Sequence, residues 1–303
     1  MAKSYKQLLN EWARNTSCLH EMDEDQRYQM QNLLLNIYKD VADVCGQYGL
    51  SMIMVGGSCL GAVRHKGFIP WDDDLDVAMP RKDYNRFIEL LNQGVLSDKY
   101  EFRTPQGDKE CSCYFTKLYR KGTELREIGD ENSPYPRSVF FDIFPIEYVP
   151  TSAFKQSVIS FMANTLRFIG NCVGEYAYRS SEYEDSIANY PELVSMHKKR
   201  ILVGRLFSFV THQKWVKWYD SLVDNSKESV LMGIPTGRAL YKGEILPAKV
   251  FLPASFGNFE GLTVGLPANP DAYLQNLYGK NYMQVPPPEK RESHFIKKMT
   301  IKY

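Results

Sequence analysis

Residues 55–79, VGGSCLGAVRHKGFIPWDDDLDVAM, hold the densest set of side chains able to do chemistry. Gly56, Gly57 and Ser58 follow a short apolar run and precede a predicted helix. Glycines let backbone approach an anion, a helix start offers unpaired N–H groups, and Ser58 adds a hydroxyl; together they suit a phosphate. Asp74 and Asp76 alternate with Leu75, Val77 and Met79, so on a strand both carboxylates leave the same face. Two carboxylates on one rigid element suit Mg2+ or Mn2+, hard cations that complete their shells with phosphate oxygen. Arg64, His65 and Lys66 lie between the two features. Asp142 stands alone in the apolar run VFFDIFP at 139–145, where a carboxylate is costly without a positive neighbour. A lone GGS is usually a turn, and a lone DxD usually a solvated loop. Their succession on strand, helix and strand is far more specific.

Positioning these groups takes a regular frame. The spacing predicts a helix over 24–48 with Gly49 as its stop, a strand at 51–55, a helix at 58–64, a loop at 65–73, a strand at 74–79 and a helix at 81–93. Further strands are predicted at 99–104, 113–120 and 139–144. Helical periodicity dominates 153–223. From 231 glycine and proline return, with short strands and a helix near 270–279. The expectation is an α/β (α+β) chain divided as 1–150, 151–230 and 231–303.

The charge balance, 37 Lys+Arg against 36 Asp+Glu, argues against a nucleic-acid partner, which a clear basic excess would signal. No apolar leader is visible at the N-terminus, and residues 154–173 are broken by Lys155, Gln156, Asn164 and Arg167, which makes a poor spanning helix. Cys18, Cys45, Cys59, Cys111, Cys113 and Cys172 form no CxxC pair; reduced thiols in a cytoplasmic protein are expected. The stretch 197–218 carries four Lys and two Arg, no acid, and Trp215 and Trp218, which suits peripheral contact with an anionic membrane; a packed helix with a solvated basic face is the competing explanation. Trp71, beside the acids, suits a donor base or a choline ammonium, or else anchors its loop. Arg64, Lys66 and Lys117 are candidate phosphate partners. His65 suits a structural place in the loop better than acid–base work, and Asp72 and Asp73 suit turn or supporting roles.

The block GGSCLGAVRHKGFIPWDDDLDVAMPRKDY (56–84), with FFDIFPIEYV (140–149), resembles the LicD family of nucleotidyltransferase-fold phosphotransferases, related to the fukutin group. Weaker likeness extends through 256–279 and 286–294. The resemblance implies a nucleotidyltransferase-like mixed sheet flanked by helices. It implies metal-dependent transfer of a phospho-alcohol group, phosphocholine in the leading case, from a CDP-alcohol donor to a sugar hydroxyl, releasing CMP. The acceptor would be a cell-surface glycan, teichoic acid included, or its lipid-linked precursor. By this match Asp74 and Asp76 are the metal aspartates, Asp142 is the third metal carboxylate or the base for the acceptor, and Gly57 and Ser58 hold phosphate. Lys290, Arg291 and His294 would return to cover the site. Residues 151–230 match the family less well, which leaves acceptor choice open, as it leaves the alcohol among choline, ribitol, ethanolamine and glycerol. Two other functions fit the same residues: nucleotidyl transfer from an NTP with pyrophosphate release, and a non-catalytic glycan- or membrane-binding module.

Overall fold

The computed structural model describes residues 3–107, 113–225, 227–288, 291 and 294–301. Near the N-terminus lies a helix not anticipated above, α1 (Tyr5–Asn15), started by a Ser4–Gln7 capping box; β1 (His20–Glu21) follows. The predicted helix at 24–48 is α2 (Glu24–Tyr48). Asp23 and Gln26 cap its start, and Gly49 ends it in the left-handed conformation. Its periodic residues Leu33, Ile37, Val41 and Val44 are buried, as their spacing predicts.

The next elements carry the candidate chemistry. They are β2 (Ile53–Met54), α3 (Gly56–Arg64), β3 (Asp76–Pro80), α4 (Arg81–Asn92), β4 (Tyr100–Arg103), β5 (Thr116–Arg120), β6 (Thr123–Arg126) and β7 (Phe140–Val149). The long helices α5 (Ala153–Ala177), α7 (Pro191–Phe207) and α8 (His212–Val223) follow, with the short α6 (Ser181–Ser186) between the first two. The chain ends in β8 (Leu231–Gly233), α9 (Leu240–Gly243), β9 (Leu246–Pro247), α10 (Ala248–Phe251), β10 (Ser255–Phe259), β11 (Leu262–Leu266), α11 (Pro270–Tyr278), β12 (Phe295–Ile296) and β13 (Lys298–Ile301).

The main sheet has the order β2-β3-β7-β5-β4, with β8 and β9 added beside the far half of β7. It is mixed, as the resemblance implies: β3 runs parallel to β7, and the other pairings are antiparallel. The strand β3 begins at Asp76, two residues later than predicted, because its pairing with β7 starts there. Asp74 and Leu75 lie in the lead-in. In contrast β7 runs five residues beyond the predicted end, since Glu147, Tyr148 and Val149 gain a new partner in β8. Buried residues of α2, α4, β3 and β7 share one core, to which β10, β11 and α11 also contribute. The pairs β1–β12 and β6–β13 tie the chain's end back to this body. No described helix is long and apolar enough to cross a membrane, and the five described cysteines are free thiols; Cys111 lies outside the described residues.

One buried charge network joins the helical region to the sheet. Arg81 donates through Nε to Glu147 on β7 (2.7 Å) and through Nη2 to Asp220 on α8 (2.9 Å). Burial pushes the Glu147 carboxyl up to about 7, against the pull of Arg81. Removing one member of such a group strands the others without compensation. Arg81→Ala leaves Glu147 and Asp220 buried and unneutralised, and should cost about 3–5 kcal/mol of unfolding free energy. Denaturant titration of variant and parent measures it; a loss under about 1 kcal/mol would show the network to be dispensable.

Candidate active site

Three elements converge on the candidate site. The helix α3 starts at Gly56, whose φ of 55° lies in the left-handed region that glycine enters without strain. A side chain there would come within 3.6 Å of Asp76 Oδ2, and one at Gly57 within 3.1 Å of Asp72 Oδ2. The absent Cβ atoms thus keep the helix start close to the acids. Ser58 sits behind this wall. It is buried, and its Oγ accepts the Asp76 backbone N–H (2.8 Å), so the hydroxyl pins the start of β3 rather than opening on the cleft. The Gly56 N–H donates to Tyr273 Oη (3.1 Å), which in turn donates to the buried Glu244 (3.3 Å).

Parallel pairing sets Asp76 on β3 directly opposite Asp142 on β7. Asp76 has no hydrogen bond or ion pair to its carboxylate among the described residues. Burial first, then the neighbouring Asp74 and Asp142, push it well above the usual carboxylate range. Asp142 is raised by burial too, but it has a partner: Lys117, opposite it on β5, donates to Oδ1 at 2.7 Å and Oδ2 at 2.8 Å. Burial works against the Lys117 ammonium, and Asp142 nonetheless holds its pKa above the ordinary lysine value. The described residues contain no ready-formed group of three metal ligands. What they offer is an all-oxygen set of Asp74, Asp76 and Asp142 in which one half-buried carboxylate makes no ion pair among the described residues. That chemistry fits a hard divalent ion.

Two adjoining cavities share Asp73, Asp74 and His294. The larger, about 630 Å³, is lined by Gly56, Gly57, Arg64, Trp71, Asp76 and Arg238 among others. The smaller, about 230 Å³, is lined by Lys117, Glu127, Phe140 and Asp142. The acidic loop between them is fixed from several sides: Gln31 of α2 donates to the Asp72 carbonyl (2.8 Å), and His294 is hydrogen-bonded to Asp73. That bond to Asp73 pushes His294 up to about 10, so the imidazolium stands at the mouth of both cavities as a cation.

Other predicted residues divide between the cleft and its supports. Arg64 lines the cleft, but its guanidinium also holds the carbonyls of Tyr282 (2.9 Å) and Gln284 (3.2 Å), which makes it the anchor of the C-terminal wall. Lys66 is exposed in a turn with φ of 61°, its carbonyl accepting from Glu260 N–H, and lines neither cavity. Burial, then Arg64, lowers His65, whose Nδ1 accepts from Arg64 Nε; its place is structural. Trp71 lines the cleft with the Arg291 guanidinium 4.2 Å above its ring. Lys290 lies outside the described residues. Sequence reasoning missed Arg238, Tyr273, Tyr278, Glu127 and Glu244. They stand on turns, on a short helix and on β6's exit, where no local pattern announces a site.

Acids on adjacent strands beside a glycine-started helix are an arrangement that suits the handling of phosphate. Residues 49–165 match the family model described as LicD/FKTN/FKRP, nucleotidyltransferase domain. Residues 49–165 are thus a LicD-type nucleotidyltransferase domain, and the chain is a transferase. It is 24% identical over 276 residues to the lipopolysaccharide cholinephosphotransferase LicD of Haemophilus influenzae, covering 90% of this chain and 97% of that protein. It is also 35% identical over 119 residues to an uncharacterized protein of Rickettsia prowazekii, 38% of this chain and 45% of that one.

The support under α3 is titratable. Burial pushes Glu244 up to about 7, against a lowering by the Ala239 N–H and Tyr273 hydroxyl. A raised acid is protonated more readily in the folded than in the unfolded chain, so its contribution is complete below about pH 4.5 and is lost as pH rises through 7. Glu244→Gln should remove that share of the slope, on the order of 3 kcal/mol between pH 4.5 and 8. Thermal melts of parent and variant across this range test it; parallel curves would refute the assignment.

Proposed function

We propose that this chain transfers phosphocholine from CDP-choline to a sugar hydroxyl of a cell-surface glycan or its lipid-linked precursor, releasing CMP, with Mg2+ or Mn2+ held by Asp74, Asp76 and Asp142. The name of the Haemophilus relative supports the transferred group and the glycan class. The observation that carries the chemistry is Asp76, a carboxylate without a partner among the described residues, set opposite Asp142 and beside a glycine-started helix. When bound, the ion would neutralise the donor's diphosphate and the developing charge on CMP.

The chain's own groups then have distinct tasks. Gly57, at the start of α3, presents backbone to the diphosphate, and Ser58 holds the strand that carries Asp76. Arg238, His294 and Arg291 add positive charge around the larger cavity. Asp142 lines the smaller cavity beside Asp74, within reach of an incoming hydroxyl; Lys117 holds it oriented. Holding donor and acceptor in line supplies most of the rate in such displacements.

Asp76→Asn separates function from stability because the two should move in opposite directions. Removing a half-buried, repelled carboxylate raises the melting temperature, while CMP release from CDP-choline with Mg2+ or Mn2+ falls at least about a hundredfold. Undiminished release would overturn the metal assignment. Pyrophosphate release from CTP by the parent, without CMP from CDP-choline, would establish nucleotidyl transfer instead.

The acceptor side carries a second feature. Phe154, Phe161 and Phe168 leave the exposed face of α5, with Leu202 and Leu206 on α7 and Phe209 beyond it; Phe161 is 73% and Phe209 80% exposed. Lys198, Lys199 and Arg205 are exposed on the same helical region. Arg200 is not available to lipid, since it is bound to Glu175 (2.8 Å) and lies over Tyr5. Bulky apolar groups with a basic fringe match an anionic bilayer, where a lipid-linked acceptor would sit. We place the protein at the cytoplasmic face of such a membrane. Liposome sedimentation should show binding that rises with anionic lipid and falls on Lys198→Glu with Lys199→Glu and on Phe209→Ser; binding indifferent to both would exclude docking through this face.

A further inference from the structure

A third cavity, about 280 Å³, opens from the smaller one through the shared residues Lys117, Leu125, Glu127 and Phe140. Its walls are rich in rings: Tyr114, Phe115, Tyr119, Tyr135 and Phe140. Glu127, just past the end of β6, opens into both cavities and has no ion pair among the described residues. The other charges of the cavity are occupied. Lys117 is bound to Asp142, Asp130 is bound to Arg126 (2.7 and 2.8 Å), and Arg137 at the rim donates to the carbonyls of Asp130 and Glu131. Two of these rings already carry a cation: the Lys117 ammonium lies 3.7 Å from the centre of Phe140 and 5.1 Å from that of Phe115.

We infer that this cavity is the subsite for the quaternary ammonium of the transferred group, with Glu127 supplying the counter-charge and Tyr135 and the neighbouring tyrosines the aromatic faces. The assignment rests on the proposed phosphocholine transfer. Aromatic faces attract a trimethylammonium through the ring quadrupole, and a nearby carboxylate adds Coulomb attraction in a partly desolvated space. Position agrees. Glu127 and Phe140 line the cavity that holds Asp142 and Asp74, and Phe140 leaves β7 on the same face as Asp142 two residues on. A phosphorus held at the aspartates would therefore lie beside the entrance, and only an ester oxygen and two carbons separate it from the ammonium. The competing aromatic site, Trp71, has its face covered by the Arg291 guanidinium, which repels a second cation. An ammonium with fewer methyl groups, or a neutral polyol, would leave the rings poorly filled, so the subsite selects choline over ethanolamine, glycerol and ribitol.

The test uses binding, so that it does not depend on turnover. Choline and its neutral isostere 3,3-dimethyl-1-butanol are titrated into the full chain, and broadening of their methyl proton resonances gives the affinities. Choline should bind about tenfold more tightly than the isostere. Glu127→Gln, an isosteric change at an exposed side chain, should abolish most of that preference, and Tyr135→Leu should weaken choline about fivefold or more. Equal affinity for the two probes, or a preference that survives Glu127→Gln, would overturn the subsite. Failure of the parent to release CMP from CDP-choline, with choline still preferred, would instead sink the transfer chemistry and leave the ammonium subsite standing.

Discussion

Everything around the site follows from two carboxylates placed opposite each other on adjacent parallel strands. Asp76 and Asp142 are cross-strand neighbours in a sheet whose flanking positions, Val77, Ala78, Phe141 and Ile143, are buried. Like charges so placed repel, and water cannot screen them as it does at a surface. Folding leaves this repulsion half relieved. Lys117 meets Asp142 from the other side, on β5, so that Asp142 lies between a lysine and an aspartate. Asp76 has no such ion pair among the described residues. The sheet order β3-β7-β5 thus arranges charge as strictly as it arranges the core, and a strand swap would undo both.

The supports explain why so much nearby structure is spent on immobilising acids. Ser58 fixes the first residue of β3, Gln31 fixes the Asp72 carbonyl, and the Gly56–Tyr273–Glu244 chain fixes the start of α3 from beneath. A carboxylate free to swing away from its neighbours would escape the repulsion, and its demand for a cation would fall. Rigid supports keep that demand high. The glycines serve the same end from the opposite side, since a Cβ at Gly57 would press on Asp72.

Local patterns were legible in the sequence where the physics is local. The period of α2, the stop at Gly49, the start of α3 close to Gly56 and the acids of the 72–76 segment all follow from neighbours in the chain. The likeness of residues 56–84 and 140–149 to one family added the pairing of Asp142 with the others, which no local rule supplies. Long-range contacts were not legible. Nothing near Ser58 says that its hydroxyl will serve a backbone amide eighteen residues on rather than a ligand. Nothing near Lys66 says that its turn will face Glu260. Glu127 follows a short strand whose sheet partner lies at the far end of the chain, so its cavity exists only once β6 meets β13 and β5 meets β7.

The cavities have a common logic that the separate residues do not reveal. The larger cavity has arginines on its walls facing the acidic segment 72–76, the smaller has Asp142 with Lys117, and the third has rings with a glutamate that makes no ion pair among the described residues. A zwitterionic donor presents these same features in the same order: anionic diphosphate, the phosphorus at which the bond changes, and a cationic head. Placing the strongest negative field between the two ends would expel a diphosphate unless an ion stood there, and with an ion in place the field holds the diphosphate instead. On the proposed function, binding of donor and binding of metal would therefore favour each other in electrostatic terms.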